Sequence, residues 1–176
     1  MKDLIDKISS YNIFNYLLPG IIFVVFSKEV IGYNFIQENN LLGAFLYYFI
    51  GMVVSRFGSV IVEPLLKYFS FVKFKEYKSF VWASKQDTKL ELLSEVNNTY
   101  RTTSSTFILL ILTAAYKALE SRFDISNRIS LSILIILILI LFLLSYRKQT
   151  NYITKRVDAN SNYKQIDNDS DSDRPK

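Results

Sequence analysis

The sequence predicts an all-α polytopic membrane protein, with four transmembrane helices and a cytoplasmic helical hairpin between spans 2 and 3. Three observations lead there. Half of the 176 residues are hydrophobic, and they fall in long blocks instead of the scattered spacing of a soluble domain. One block, residues 129–146, is nearly pure Ile and Leu and about 27 Å long as a helix, enough to cross a bilayer. Lysine and arginine gather on one set of connecting segments. A chain this short has too little surface to hide such blocks in a water-soluble core, so lipid is the expected solvent.

The elements follow in chain order. Residues 1–10 set Leu4, Ile5 and Ile8 on one helical face, with Lys2, Asp3, Asp6 and Lys7 elsewhere, as in a short interfacial helix. Transmembrane helices 1 and 2 occupy residues 11–66. The first contains Pro19-Gly20 and leaves the hydrocarbon at Lys28 and Glu29. A proline inside a helix frees a backbone carbonyl that a neighbour must satisfy in lipid. Asn12 and Asn15 precede it on roughly that side. Pro19 is therefore either the kink of a packed helix or a gating hinge.

The second span begins near Leu41 and is interrupted by Arg56. Its apolar periodicity continues through Val60, Ile61, Val62, Leu65, Leu66 and Phe69, which reads as one long helix leaving the membrane. Gly51, Ser55 and Ser59 recur every four residues, a small-residue ridge suited to close helix packing, within the chain or in a homo-oligomer. Arg56 and Glu63 lie two turns apart on one face. They are candidates for an ion pair or gate, with snorkelling of Arg56 to the interface as the plain alternative.

Residues 67–105 form the expected cytoplasmic hairpin. Phe74, Tyr77, Phe80 and Val81 share a face; Asp87 suits an N-cap; Leu90, Leu93, Val96 or Asn97, and Tyr100 form a second stripe that runs on into the third span. Lys73, Lys75, Lys78, Trp82, Tyr100 and Arg101 are candidate membrane anchors or contacts for a cytoplasmic protein partner reached through residues 70–100. Transmembrane helices 3 and 4 occupy residues 106–146. From residue 147 to 176 apolar content collapses, and a largely disordered cytoplasmic tail is expected. Its Asp/Ser end lacks the glycine and distant glutamate of a calcium loop.

Orientation follows from counting cations. One side holds Lys2 and Lys7, seven Lys/Arg in residues 67–101 and seven from Arg147 onward; the other holds Lys28, Lys117, Arg122 and Arg128. Sixteen against four, with Arg56 at the boundary, places both termini in the cytoplasm. The first apolar block lacks a small-residue cleavage site, so it reads as a span and not as a cleaved signal peptide. Abundant Ile, Asn, Lys, Phe and Tyr suit an AT-rich bacterial genome, and hence the inner (cell) membrane.

The chain has neither cysteine nor histidine, which removes thiol nucleophiles, disulfides, imidazole bases and the common zinc sites. With no paired-acid or phosphate-loop motif, the expectation is a non-enzymatic protein with no cofactor, no metal and no nucleic-acid partner. The segment Ser10-Tyr-Asn-Ile-Phe-Asn-Tyr-Leu-Leu-Pro-Gly20, with Asn97-Asn-Thr-Tyr-Arg101, resembles a pattern in small uncharacterised bacterial inner-membrane proteins, some encoded in phage-defence neighbourhoods. The resemblance spans about fifteen residues and carries over no functional residue. It implies a self-assembling sensor or membrane effector in antiphage defence, signalling through the hairpin; a small ion channel or transporter is the alternative.

Overall fold

The structure, a computed structural model, describes the backbone of residues 13–172 and the side chains of residues 13–160 apart from Phe14. The interfacial helix expected at 1–10, together with Asn12, lies outside the described residues. Every regular element among the described residues is helical. Helix α1 (residues 13–31) joins a π turn at Ile13–Leu17, an α segment at Leu18–Phe26 and a second π turn at Ser27–Ile31. Helix α2 is Asn40–Tyr68, with a π turn at Gly58–Val62. Helices α3 (Tyr77–Gln86), α4 (Lys89–Arg122) and α5 (Asn127–Ser172) follow. Three helices are long and apolar enough to cross a membrane: α2, α4 and α5, the last over Asn127–Asn160. That is the architecture of a membrane protein.

Local sequence explains where the helices start and stop. The Asn39 side chain accepts from the Leu41 and Leu42 N–H groups, both at 3.0 Å, and opens α2. Thr88 is the N-cap of α4, and the Asp87 carboxylate one residue earlier accepts from the Lys89 N–H at 2.9 Å. At the far end of α2, Ser70 adopts a left-handed conformation, φ 56°. Its N–H reaches the Lys67 carbonyl, while that of Phe71 reaches the Leu66 carbonyl, which together form a Schellman motif. Asp124, φ 48°, closes α4 in the same way, the Ile125 N–H bonding the Glu120 carbonyl.

The four long helices alternate in direction. A Cβ built on Gly51 would overlap the Tyr16 carbonyl, and one on Gly20 the Tyr47 carbonyl, so α1 and α2 cross with their backbones touching. Phe26 packs edge-on against Phe107 of α4, and Phe49 stacks on Phe142 of α5. Phe23, Val54 and Leu110 meet in the centre, flanked by Ile31, Phe35, Ile50 and Leu109. The Ile and Leu side chains of α5 from Ile129 to Leu144 are mostly exposed, the face that lipid would cover.

One expectation needs correction. Residues 147–160 are not a loose tail. The α5 helix carries on past Tyr146, where Tyr152 packs against Tyr77 of α3 with ring centroids 5.6 Å apart, and Ala159 is buried. No proline or glycine interrupts this stretch before Pro175, so a helix already nucleated in the apolar block propagates cheaply into polar sequence. The Gly51/Ser55/Ser59 ridge serves close packing within the chain, one of its two expected uses. Gly51 touches α1, Ser55 is buried against α4, and Ser59 faces α5. Each four-residue step advances about 40° around a helix, so three small residues serve three neighbours in turn.

Candidate functional site: a buried ion network

The site is built from a proline absent from the sequence-level candidates. Pro64 has no N–H, and the π turn just before it sends the Glu63 N–H back to the Gly58 carbonyl. Neither of the N–H groups in reach is left for the Ser59 carbonyl. Lys148 of α5 takes over: its ammonium donates to that carbonyl at 2.6 Å and to the Ser59 hydroxyl oxygen at 2.8 Å. Pro19 has the same relation to the π turn at Ile13–Leu17 and is itself buried in the α1–α2 crossing. Its ring is packed between the two helices.

The widened turn sets the buried Glu63 carboxylate among three cations. One oxygen accepts from Lys67 at 2.8 Å and lies 3.5 Å from the Lys148 ammonium; the other accepts from Arg101 at 2.7 Å. One carboxylate thus ties α2, α4 and α5 together. The Arg101 Nε–H is buried with no hydrogen-bond partner, so the donor capacity around Glu63 exceeds the acceptors facing it. Removing one partner from a buried pair of this kind is far more costly than the pair itself is stabilising.

Arg56 does not pair with Glu63, so the ion-pair alternative for these two residues is not realised. Its guanidinium donates to the Tyr16 hydroxyl at 3.2 Å and lines a cleft between α2 and α5 with Ser59, Val60, Ser145, Lys148, Gln149 and Tyr152. The π turn is the reason, because an extra residue in one turn rotates Glu63 away from the face two ideal turns would share with Arg56. One layer further in lies a neutral network. The Thr102 hydroxyl sits 3.0 Å from the Asn15 side-chain oxygen, 2.9 Å from the Asn98 carbonyl and 3.3 Å from the Ser55 hydroxyl. Asn15, Ser55, Thr102, Ser105 and Thr106 are all buried there.

A second carboxylate organises the opposite end. Glu120 accepts from the Tyr33 hydroxyl at 2.8 Å, from Lys117 at 2.9 Å and from the Ser130 hydroxyl at 2.8 Å; Tyr116 in turn donates to Ser130 at 2.9 Å. Lys117 also lies 4.7 Å above the Tyr33 ring. Burial first, and the Glu120 carboxylate beside it second, push the Tyr33 phenol above its ordinary range, so it remains an O–H donor. The two networks are 18 residues apart along α5, from Ser130 to Lys148, or about 27 Å.

The remaining sequence candidates fall outside both networks. Lys73, Lys75, Trp82 and Tyr100 are exposed. Lys78 lies beside Glu76, Tyr77, Lys155 and Asp158 in a groove between α3 and α5. Arg101, read as a surface anchor, is instead the α4 partner of Glu63. Sequence reasoning missed Lys148, counted only as a tail cation, and Thr102, Ser105 and Thr106. Their three- and four-residue spacing at the head of an apolar helix was the available signal. Among the described residues no group of three His, Cys, Asp or Glu is placed to share a metal ion. Comparison with protein-family models, curated proteins and solved structures finds no match to this chain.

Proposed function

We propose that the chain is a non-enzymatic, four-span protein of a bacterial inner membrane. In this reading both termini are cytoplasmic, and α3 with the first half of α4 works as a signalling hairpin. Helix α1 is the fourth span, supported by its antiparallel seam with α2 and by the outward apolar faces of Ile21, Val25 and Phe26. The two ion networks lie about one hydrocarbon thickness apart, which suits one at each interface. The excess of lysine and arginine at the Glu63 end favours the cytoplasm for that side.

The role is that of a sensor or membrane effector, self-assembling and acting in antiphage defence. One observation carries the signalling part. Tyr77 of α3 is clasped to Tyr152 of α5, and α5 runs without a break to Lys148 and on through the apolar span. A force on the hairpin therefore acts on the Glu63 network and the spanning helices together. Self-assembly in this reading uses a face other than the Gly51 ridge.

The chain lacks cysteine, so Tyr77→Cys with Tyr152→Cys introduces the only thiols for a short, reducible cross-linker. Phage plating on cells expressing the chain with its neighbouring genes should fall, recover when the clasp is cross-linked, and fall again on reduction. Plating unaffected by the cross-link would reject signalling through the hairpin; plating unaffected by the wild-type chain across a broad phage panel would reject defence. A small ion channel or transporter is the second reading, favoured by the buried Asn15, Ser55 and Thr102 layer. Because Phe23, Val54 and Leu110 fill the next level, its path would run between copies.

A further inference from the structure

The connection leaving α2 carries aromatic side chains that the fold leaves largely exposed. Tyr68, Phe69 and Phe71 are 82%, 72% and 78% exposed, and Phe74 is 54% exposed. Lysines alternate with them in Lys67-Tyr-Phe-Ser-Phe-Val-Lys-Phe-Lys75. The turn has a defined shape. The left-handed Ser70 and its two Schellman hydrogen bonds reverse the chain, and the Lys67 ammonium, 4.1 Å above the Phe74 ring, closes it. An apolar patch of this size left in water is unfavourable.

Its depth identifies what covers it. Tyr68 is the last residue of a membrane-spanning helix and lies five residues beyond Glu63, about 7 Å further along the axis. The headgroup layer beyond each face of the hydrocarbon is about 5–7 Å thick. With the Glu63 network at the hydrocarbon boundary, the turn falls among the headgroups, continuous with the lipid-facing surface of α2. Aromatic rings at that level, beside exposed Lys73 and Lys75, match a leaflet whose phosphates are in excess.

We propose that residues 68–75 form a lipid-inserting wedge, with Tyr68, Phe69, Phe71 and Phe74 seated between anionic phospholipids and Lys73 and Lys75 on their phosphates. The anionic preference rests on the cytoplasmic placement proposed above; insertion itself does not. The wedge fixes the depth of the hairpin and makes it responsive to leaflet charge.

The chain has one tryptophan, so Phe71→Trp combined with Trp82→Phe places a single reporter in the turn. The full-length variant is purified and reconstituted in phosphatidylcholine bilayers, with or without phosphatidylglycerol, using lipids brominated high on the acyl chain. The expected emission is blue-shifted, shielded from acrylamide, and loses its larger part to brominated lipid. The loss is greater with phosphatidylglycerol, and Lys73→Gln with Lys75→Gln removes that increment. Red-shifted, acrylamide-accessible emission that bromine leaves alone would overturn insertion. Blue-shifted emission without bromine quenching would also overturn it and assign the patch to a protein contact. Equal quenching with and without phosphatidylglycerol would overturn the anionic preference. Orientation fails separately, through a periplasmic signal from a reporter fused at Lys85.

Discussion

The two ends of the bundle solve one problem with different chemistry. At each, a single buried glutamate joins helices that are distant in sequence. Glu63 is surrounded by three full charges from Lys67, Arg101 and Lys148, and Lys148 also serves the carbonyl that Pro64 deprives of its donor. Glu120 is held by one lysine a turn earlier on its own helix and by two neutral hydroxyls, Tyr33 and Ser130. The first network is over-supplied with positive charge and crosses helices through ions. The second is nearly balanced and crosses helices through hydroxyls. Losing the carboxylate therefore means something different at each end. At the Glu63 end it leaves cations repelling one another in a half-dry site, and at the Glu120 end it leaves hydroxyls that can turn to new acceptors.

The largest expected effect breaks that asymmetry directly. Glu63→Ala should destabilise the detergent-solubilised protein by about 3–5 kcal/mol, the cost of orphaning a buried ion-pair set. Glu120→Ala should cost distinctly less in the same unfolding titration. Equal losses would show that the charge imbalance has no energetic weight. Next comes Lys148→Met, which keeps the aliphatic stem but leaves the Ser59 carbonyl unpaired. A loss of about 1–3 kcal/mol is expected. Adding Pro64→Ala should recover part of it, since alanine brings back the missing N–H; the absence of any recovery would separate the π turn from the lysine.

A smaller effect tests the hydroxyl end through pH. The Tyr33 phenol is pushed up by burial and by Glu120, so its neutral form is the one the fold favours. That contribution is fully present below the ordinary tyrosine range and is lost as pH rises through the folded-state value. Tyr33→Phe should therefore lower stability by a constant margin near neutrality, and the margin should close only in strongly alkaline buffer. A margin that closes in acid instead would place the effect on a carboxylate. The smallest expected effect compares the two left-handed turns. Ser70→Gly should gain about 1 kcal/mol and Asp124→Gly less, because aspartate tolerates that conformation better than serine. Matching shifts in thermal midpoint would remove the distinction.

Much of the fold was legible in the residues. The apolar blocks, the long second helix running beyond Arg56 and the continuation of the Leu90–Tyr100 stripe into one long apolar helix all follow from local pattern, and each is present in the structure. The candidate site was legible only in parts. Arg56 and Glu63 were singled out, with pairing to each other as one alternative, because counting two ideal turns assumes an uninterrupted α-helix. Pro64 invalidates that count, and its consequence appears only when a lysine from α5 arrives at the freed carbonyl. Lys148 looked like one more tail cation for the same reason. Nothing local distinguishes a lysine that reaches back into a bundle from one that reaches into water.

Residue pattern alone establishes that the chain is helical, where its apolar helices lie, and which connections carry the positive charge. These are consequences of periodicity and transfer free energy, which act residue by residue. Tertiary packing settled which small residue meets which helix, that Tyr152 and Ala159 of the extended α5 helix find contacts, and which cations surround Glu63. Those outcomes depend on the rotation of one helix against another. In this chain the rotation is set by π turns and by two glycines whose backbones touch their neighbours, and helix-helix rotation leaves no period in the sequence.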